Sequence, residues 1–120
     1  MFPKTRQEIF DGTVNHLRKQ GVKSYDPIST RCFYRGPNGT KCAVGWAIPD
    51  DLYDPAIECA GTVDGLVKFD KNFKVFKDHE SLWFKLQKIH DRVDISLWED
   101  AFADCAKNLK LIYTPPGKND

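Results

Sequence analysis

Three stretches of the chain repeat apolar residues at the spacing of an amphipathic helix. The first is Ile9, Phe10, Thr13, Val14 and Leu17. Thr5 stands before it with Glu8 three residues later, the pattern of a capping box. Lys19 sits in its last turn and Gly21 follows as a C-terminal cap. The pattern predicts a helix over Arg6–Gln20. The second stripe is Leu82, Leu86, Ile89 and Val93, with Trp83 beside it. It predicts a helix over about His79–Val93, capped by Asp78. The third is Trp98, Ala101, Phe102, Cys105 and Leu109. It predicts a helix over about Leu97–Leu109, capped by Ser96. Glu99 and Asp100 at its start and Lys107 and Lys110 at its end suit the helix dipole.

Between the first two stripes the period changes. Val22–Thr30 reads as a connector, with Asp26-Pro27 favouring extended or turn backbone. Gly36-Pro37-Asn38-Gly39 then suits a type I turn with Gly39 left-handed in a bulge, a three-residue hairpin loop. In this register Thr40 faces Gly36, Cys42 faces Tyr34 and Val44 faces Cys32. One face of the ribbon carries Cys32, Tyr34, Cys42 and Val44. The other carries Phe33, Arg35, Lys41 and Ala43. A one-residue slip would exchange the faces, so the sorting of apolar from charged residues supports this register. It also sets Cys32 diagonal to Cys42, which disfavours a disulfide between them.

From Ala43 onward Ala43, Val44, Ala47 and Ile48 fit a helical face, with Gly45 allowing close packing against the hairpin. Asp50–Pro55 reads as an acidic turn. Within 56–68, residues 56–60 fit a short helical turn, and Thr62 could cap another short helix through Val67. Phe69–Phe76 reads as a loop that staples aromatics onto the core. The tail from Tyr113 to Asp120 reads as extended or frayed. The expectation is a single α+β domain over residues 1–120, mainly helical, with three main helices packed on one β-hairpin.

Composition and charge narrow the function classes. The 120 residues suit one domain. Hydrophobic residues at 41% against 29% charged describe a chain that can build a core, which excludes a disordered polymer. The longest apolar run, Ala43–Ile48, is too short to span a membrane. The N-terminal residues lack the apolar stretch of a signal peptide. A cytoplasmic protein with reduced thiols is expected. Net charge is +1 but unevenly spread. Residues 1–48 hold eight Lys or Arg against three Asp or Glu, and residues 49–70 hold one against six. The basic half could face an anionic ligand, or both halves could be solvated faces of one domain. The net charge is far below the footprint of a nucleic-acid binder, so nucleic acid is not an expected partner.

Candidate chemistry is sparse. Cys32, Cys42, Cys59 and Cys105 with His16, His79 and His90 never fall at the close spacing of a zinc knuckle, so no metal and no cofactor are expected. His90-Asp91 could belong to a metal-dependent hydrolase with further ligands such as His16, His79 or Asp104. It could equally be a helix-terminal His beside a solvated Asp. A thiol enzyme would need Cys42 or another Cys beside His90 and an orienting group. Neither a nucleophile elbow nor a phosphate-binding glycine loop is present. The binding candidates are Arg31, Arg35 and Lys41, with Phe33 between them and Trp46 as a groove wall. Cations there could hold phosphate and the aromatics could stack on a base. The same face could be an ordinary solvated ribbon.

Cys-x-Tyr-Arg-Gly-x-x-Gly-x-Lys-Cys-Ala-Val-Gly-x-x-Ile-Pro-Asp, read here from Cys32 to Asp50, resembles the signature of small uncharacterised bacteriophage and prophage proteins. The flanks 14–21 and 86–91, then Trp98, agree, so the resemblance covers about residues 5–110. Trp46 and Cys59 depart from it, standing where smaller residues are expected. The resemblance supplies no catalytic residues. It implies a viral accessory protein acting in the bacterial host cytoplasm. The leading expectation is a non-enzymatic binding protein that sequesters a host protein or a small anionic nucleotide signal, as counter-defence or host takeover. The alternatives are a small metal-dependent or thiol hydrolase using His90 and Asp91, and a virion-associated structural protein. The oligomeric state is left open, a homo-oligomer included.

Overall fold

Helix α1 spans Arg6–Gln20 in the computed structural model of the chain, which describes residues 2–60 and 63–117. Its capping box is complete: the Thr5 hydroxyl accepts the Glu8 amide at 3.1 Å, and the Glu8 carboxylate accepts the Thr5 amide at 3.0 Å. Gly21 closes it in the left-handed region, φ 69°. Its stripe is buried as the spacing requires.

The later helices start differently from expectation. The long central helix runs Glu80–Arg92, because Asp78 ends a preceding short helix and His79 breaks the backbone at φ −134°, ψ 43°. The last long helix runs Trp98–Leu109. Ser96 does not cap it. Its hydroxyl donates to the Asp94 carboxylate within a 3-10 turn over Ile95–Leu97.

Residues 54–78 hold more helix than the sequence suggests. Asp54 caps a 3-10 turn over Pro55–Cys59, and Asp70 caps another over Lys71–Lys74. Two further α-helices cover Val63–Phe69 and Val75–Asp78. In chain order, then, α2 is Val63–Phe69, α3 Val75–Asp78, α4 Glu80–Arg92 and α5 Trp98–Leu109. The expected aromatic loop is helical because its apolar positions are three apart: Phe73 and Phe76 are fully buried, while Phe69 is left half-exposed. The Thr62 cap lies outside the described residues.

The hairpin also moves. β1 (Tyr25–Asp26) pairs antiparallel with β2 (Arg31–Cys32), Tyr25 opposite Cys32. The expected ribbon over 32–44 is reduced to a bridge between Arg35 and Lys41. Its register is the expected one: the Gly36 amide donates to the Thr40 carbonyl, and the Cys42 amide to the Tyr34 carbonyl. The turn is not type I, since Asn38 as well as Gly39 is left-handed, at φ 59° and 75°. Cys32 faces Tyr25 and not Val44, because Val44 has already turned helical (φ −81°, ψ −40°) into a 3-10 turn over Gly45–Ala47. Gly45 permits this: a β-carbon there would lie 1.9 Å from the Tyr34 carbonyl oxygen. The chain folds back onto residue 34 before a longer ladder can form.

The result is a small, mainly helical α+β fold with, among the described residues, five α-helices and one short hairpin. α1, α4 and α5 pack around one core, with buried Cys42–Ile48 residues laid across it. Trp83 of α4 sits at its centre, edge-on to Phe76 at 5.0 Å and 6.4 Å from Trp46. The C-terminal segment is fastened at least as far as Thr114. Arg18 bonds Glu99 through two nitrogens and also reaches the Thr114 carbonyl. The Tyr113 hydroxyl donates to Glu99. Among the described residues no helix is long and apolar enough to cross a membrane.

Candidate functional site

A dense polar cluster lies where residues 31–35 face the C-terminal half of α4. Helix spacing puts Gln87 one turn before Asp91 on the same face. The Gln87 amide donates to Asp91 Oδ1 at 2.8 Å, and its oxygen accepts the Val44 amide at 2.9 Å. This one side chain ties the carboxylate to the segment crossing the core. His90 points inward and is fully buried. Its Nε2 accepts the Ser24 amide at 2.9 Å, so the ring proton sits on Nδ1, which donates to Asp91 Oδ1 at 2.7 Å. Ser24 carries the hairpin, and its carbonyl accepts the Phe33 amide.

Glu58 enters from the other side. One carboxylate oxygen accepts the Tyr34 amide at 2.8 Å. The other accepts the Arg35 amide at 3.1 Å and the Tyr53 hydroxyl at 2.7 Å. Asp91 and Glu58 thus bracket the segment carrying Cys32, Phe33 and Tyr34.

Nearby ionisable groups register this charge. Burial, and then the neighbouring Asp91 carboxylate, pushes the Cys32 thiol up to about 11. Burial does most to push Cys42 up to about 12, with Asp91 adding. The Tyr34 phenol is raised by burial first, then by Cys42, Glu58 and Asp91. Burial and then Glu58 push Tyr53 up to about 12.

Cys32, His90 and Asp91 place one potential ligand atom each within 4.8 Å of one another. The ring orientation opposes metal binding. A metal on Nδ1 would move the ring proton to Nε2, against the Ser24 amide, where two donors would meet. Nor is the thiol armed. At about 11, roughly one thiol in ten thousand is ionised at pH 7. Both His90 nitrogens are engaged, so the ring has no lone pair for the thiol proton.

Two recesses meet at this cluster. An outer one of about 450 Å³ is lined by Tyr34, Val44, Val63, Trp83, Phe84 and charged residues of α2 and α4. An inner cleft of about 170 Å³ runs between residues 31–34, Cys42 and Glu58. They share Tyr34, Gln87 and Asp91. A larger recess of about 660 Å³ lies elsewhere, between α1, α5 and the tail. Its best-placed charges, Arg18 and Glu99, are engaged with each other.

The residues singled out from sequence divide. Arg31 and Phe33 line the inner cleft together, the guanidinium 5.8 Å from the ring centre. Arg35 reaches Asp50 at 2.7 Å and the Ile48 carbonyl at 2.9 Å, and lies 4.4 Å over the Tyr53 ring. Lys41 serves through its backbone, bonded by Gln20 and His16. Trp46 donates to the Thr13 hydroxyl at 2.8 Å and stacks on His16. Gly12 makes room for that ring, since a β-carbon there would come within 2.4 Å of it. Arg35, Lys41 and Trp46 do not line the cleft. His90 and Asp91 meet Cys32, while His16 and His79 bond backbone carbonyls of Lys41 and Lys4. Gln87 and Glu58 are among the site residues that were not foreseen. Gln87 stood four before Asp91, which was a usable signal. Glu58 lay in an ambiguous stretch and carried none.

Comparison with protein-family models, with curated proteins and with solved structures finds no match to the chain.

Proposed function

We propose that the protein is a non-enzymatic binding protein that holds a segment of a partner polypeptide in the joined recesses between residues 31–34 and α4. The observation that carries this reading is the pairing of an apolar outer recess with a polar inner cleft across one fixed carboxylate, Asp91. Sites of this form bury a ligand's apolar part and orient it by a few polar groups. Phe84, 64% exposed on the rim, is the kind of aromatic anchor that protein interfaces use. Mixed charge around the outer recess, with Asp64, Glu80 and Asp91 against Lys88 and Arg92, suits a polypeptide better than a nucleotide. An enzyme is less well supported, because the nearest thiol and imidazole are held in unreactive arrangements. The setting, a phage accessory protein that captures a host protein in the bacterial cytoplasm, rests only on the resemblance carried by Cys32–Asp50 and its flanks.

The test compares the wild-type chain with Phe84→Glu as baits in bacterial lysate. The variant changes an exposed side chain and leaves the core intact. A partner retained by the wild type and lost by the variant, whose complex slows amide exchange at 31–34 and 83–92, supports the reading. Equal retention by both chains, or no partner at all, overturns it.

A further inference from the structure

The inner cleft has a charge of its own. Two carboxylates, Glu58 and Asp91, line it against one guanidinium, Arg31, which lies exposed over Phe33. Asp91 is held in place by donors from His90 and Gln87, both on Oδ1, and its side chain is still 34% exposed. The Cys32 thiol, a weak donor, also lies within 4.8 Å of it. The upward shifts of Cys32, Cys42 and Tyr34 each include the field of Asp91, so the cleft carries negative potential. A carboxylate fixed in this way, with aromatic rings beside it and an apolar approach, matches a planar cation on an apolar stem.

We infer that the inner cleft takes an arginine side chain of the partner polypeptide, its guanidinium bonded to Asp91 and its methylene stem lying along the outer recess. The inference rests on the proposed docking function and adds the chemistry of the anchor. The guanidinium offers stronger, charge-assisted donors in place of the thiol. It can lie against Phe33 or Tyr34 while its stem covers Val44 and Trp83.

The test is an amide chemical-shift titration of the full chain with three probes: N-acetyl-arginine amide, N-acetyl-citrulline amide and N-acetyl-leucine amide. The arginine probe is expected to shift residues 31–34 and 87–91 saturably. Citrulline has the same shape without the charge and is expected to bind at least about tenfold more weakly. Asp91→Asn keeps an oxygen for His90 and Gln87, and is expected to lower arginine binding to the citrulline level. Added salt supplies a test that needs no variant, weakening the arginine probe and not the other two. Equal binding of arginine and citrulline, or arginine shifts confined to other residues, overturns the inference. Leucine binding at 83–84 with no arginine binding leaves the docking function standing and removes the arginine anchor. No binding by any probe removes the arginine anchor, and the docking function is then decided by the Phe84→Glu comparison.

Discussion

Glu58→Ala removes one side chain that holds several groups at once. The carboxylate accepts three hydrogen bonds, from two backbone amides and a phenol, at 2.8, 3.1 and 2.7 Å. Bonds to a charged acceptor contribute about 1.5–3 kcal/mol each. Glu58 is only half-buried, so about half of that sum, about 3 kcal/mol, is the expected loss. Against a typical domain stability of about 5–15 kcal/mol this is a large fraction. Glu58→Gln should lose about 2 kcal/mol, because both oxygens face N–H donors and the new amide must turn its own donor toward one of them. Urea unfolding reads the result as a midpoint drop of about 1–2 M for the alanine variant. Glu80→Ala, exposed on α4, is the control and should stay within about 0.5 kcal/mol. A Glu58→Ala loss below about 1 kcal/mol would refute the idea that this carboxylate locks residues 34–35 in place.

Three further outcomes are expected. Gly45→Ala must push a β-carbon away from the Tyr34 carbonyl, now 1.9 Å from its ideal position, and should cost about 3 kcal/mol or more by thermal unfolding. The Cys42 thiol is raised in the fold from 9.0 to about 12, so its contribution is complete below pH 9 and is lost as pH rises toward 12. Unfolding free energy should fall by about 1.4 kcal/mol per pH unit across that window on its account, a slope that Cys42→Ala should remove. Glu99→Gln weakens the clasp on Arg18 and Tyr113, and should cost about 1 kcal/mol while speeding amide exchange at 111–114.

The helices that carry a complete stripe were legible because burial and spacing say the same thing. α1 is the clearest case, since Thr5, Glu8 and Gly21 mark both ends. α4 and α5 were legible in their faces and not in their starts. Asp78 and Ser96 are good caps by type, but Asp78 lies inside the preceding short helix and Ser96 bonds Asp94 in the preceding turn. The turn at 36–40 shows the opposite failure. Its register followed from side-chain sorting, while its extent did not, because the ladder ends on a steric event between Gly45 and Tyr34, eleven positions apart in the chain. The site itself is a long-range product. Cys32 and Asp91 come from separate halves of the chain, joined through Ser24, His90 and Gln87. A sequence pattern marks residue types that could serve. It does not say that Arg35 turns toward Asp50 and Tyr53, or that Trp46 is held by Thr13.

The most direct measurement is a comparison of amide exchange in the free protein and in its complex with a captured partner polypeptide. Slowed exchange concentrated at residues 31–34 and 83–92, abolished with the complex by Phe84→Glu, is the predicted result. Slowing confined to the recess between α1, α5 and the tail, around Arg18 and Glu99, would contradict it.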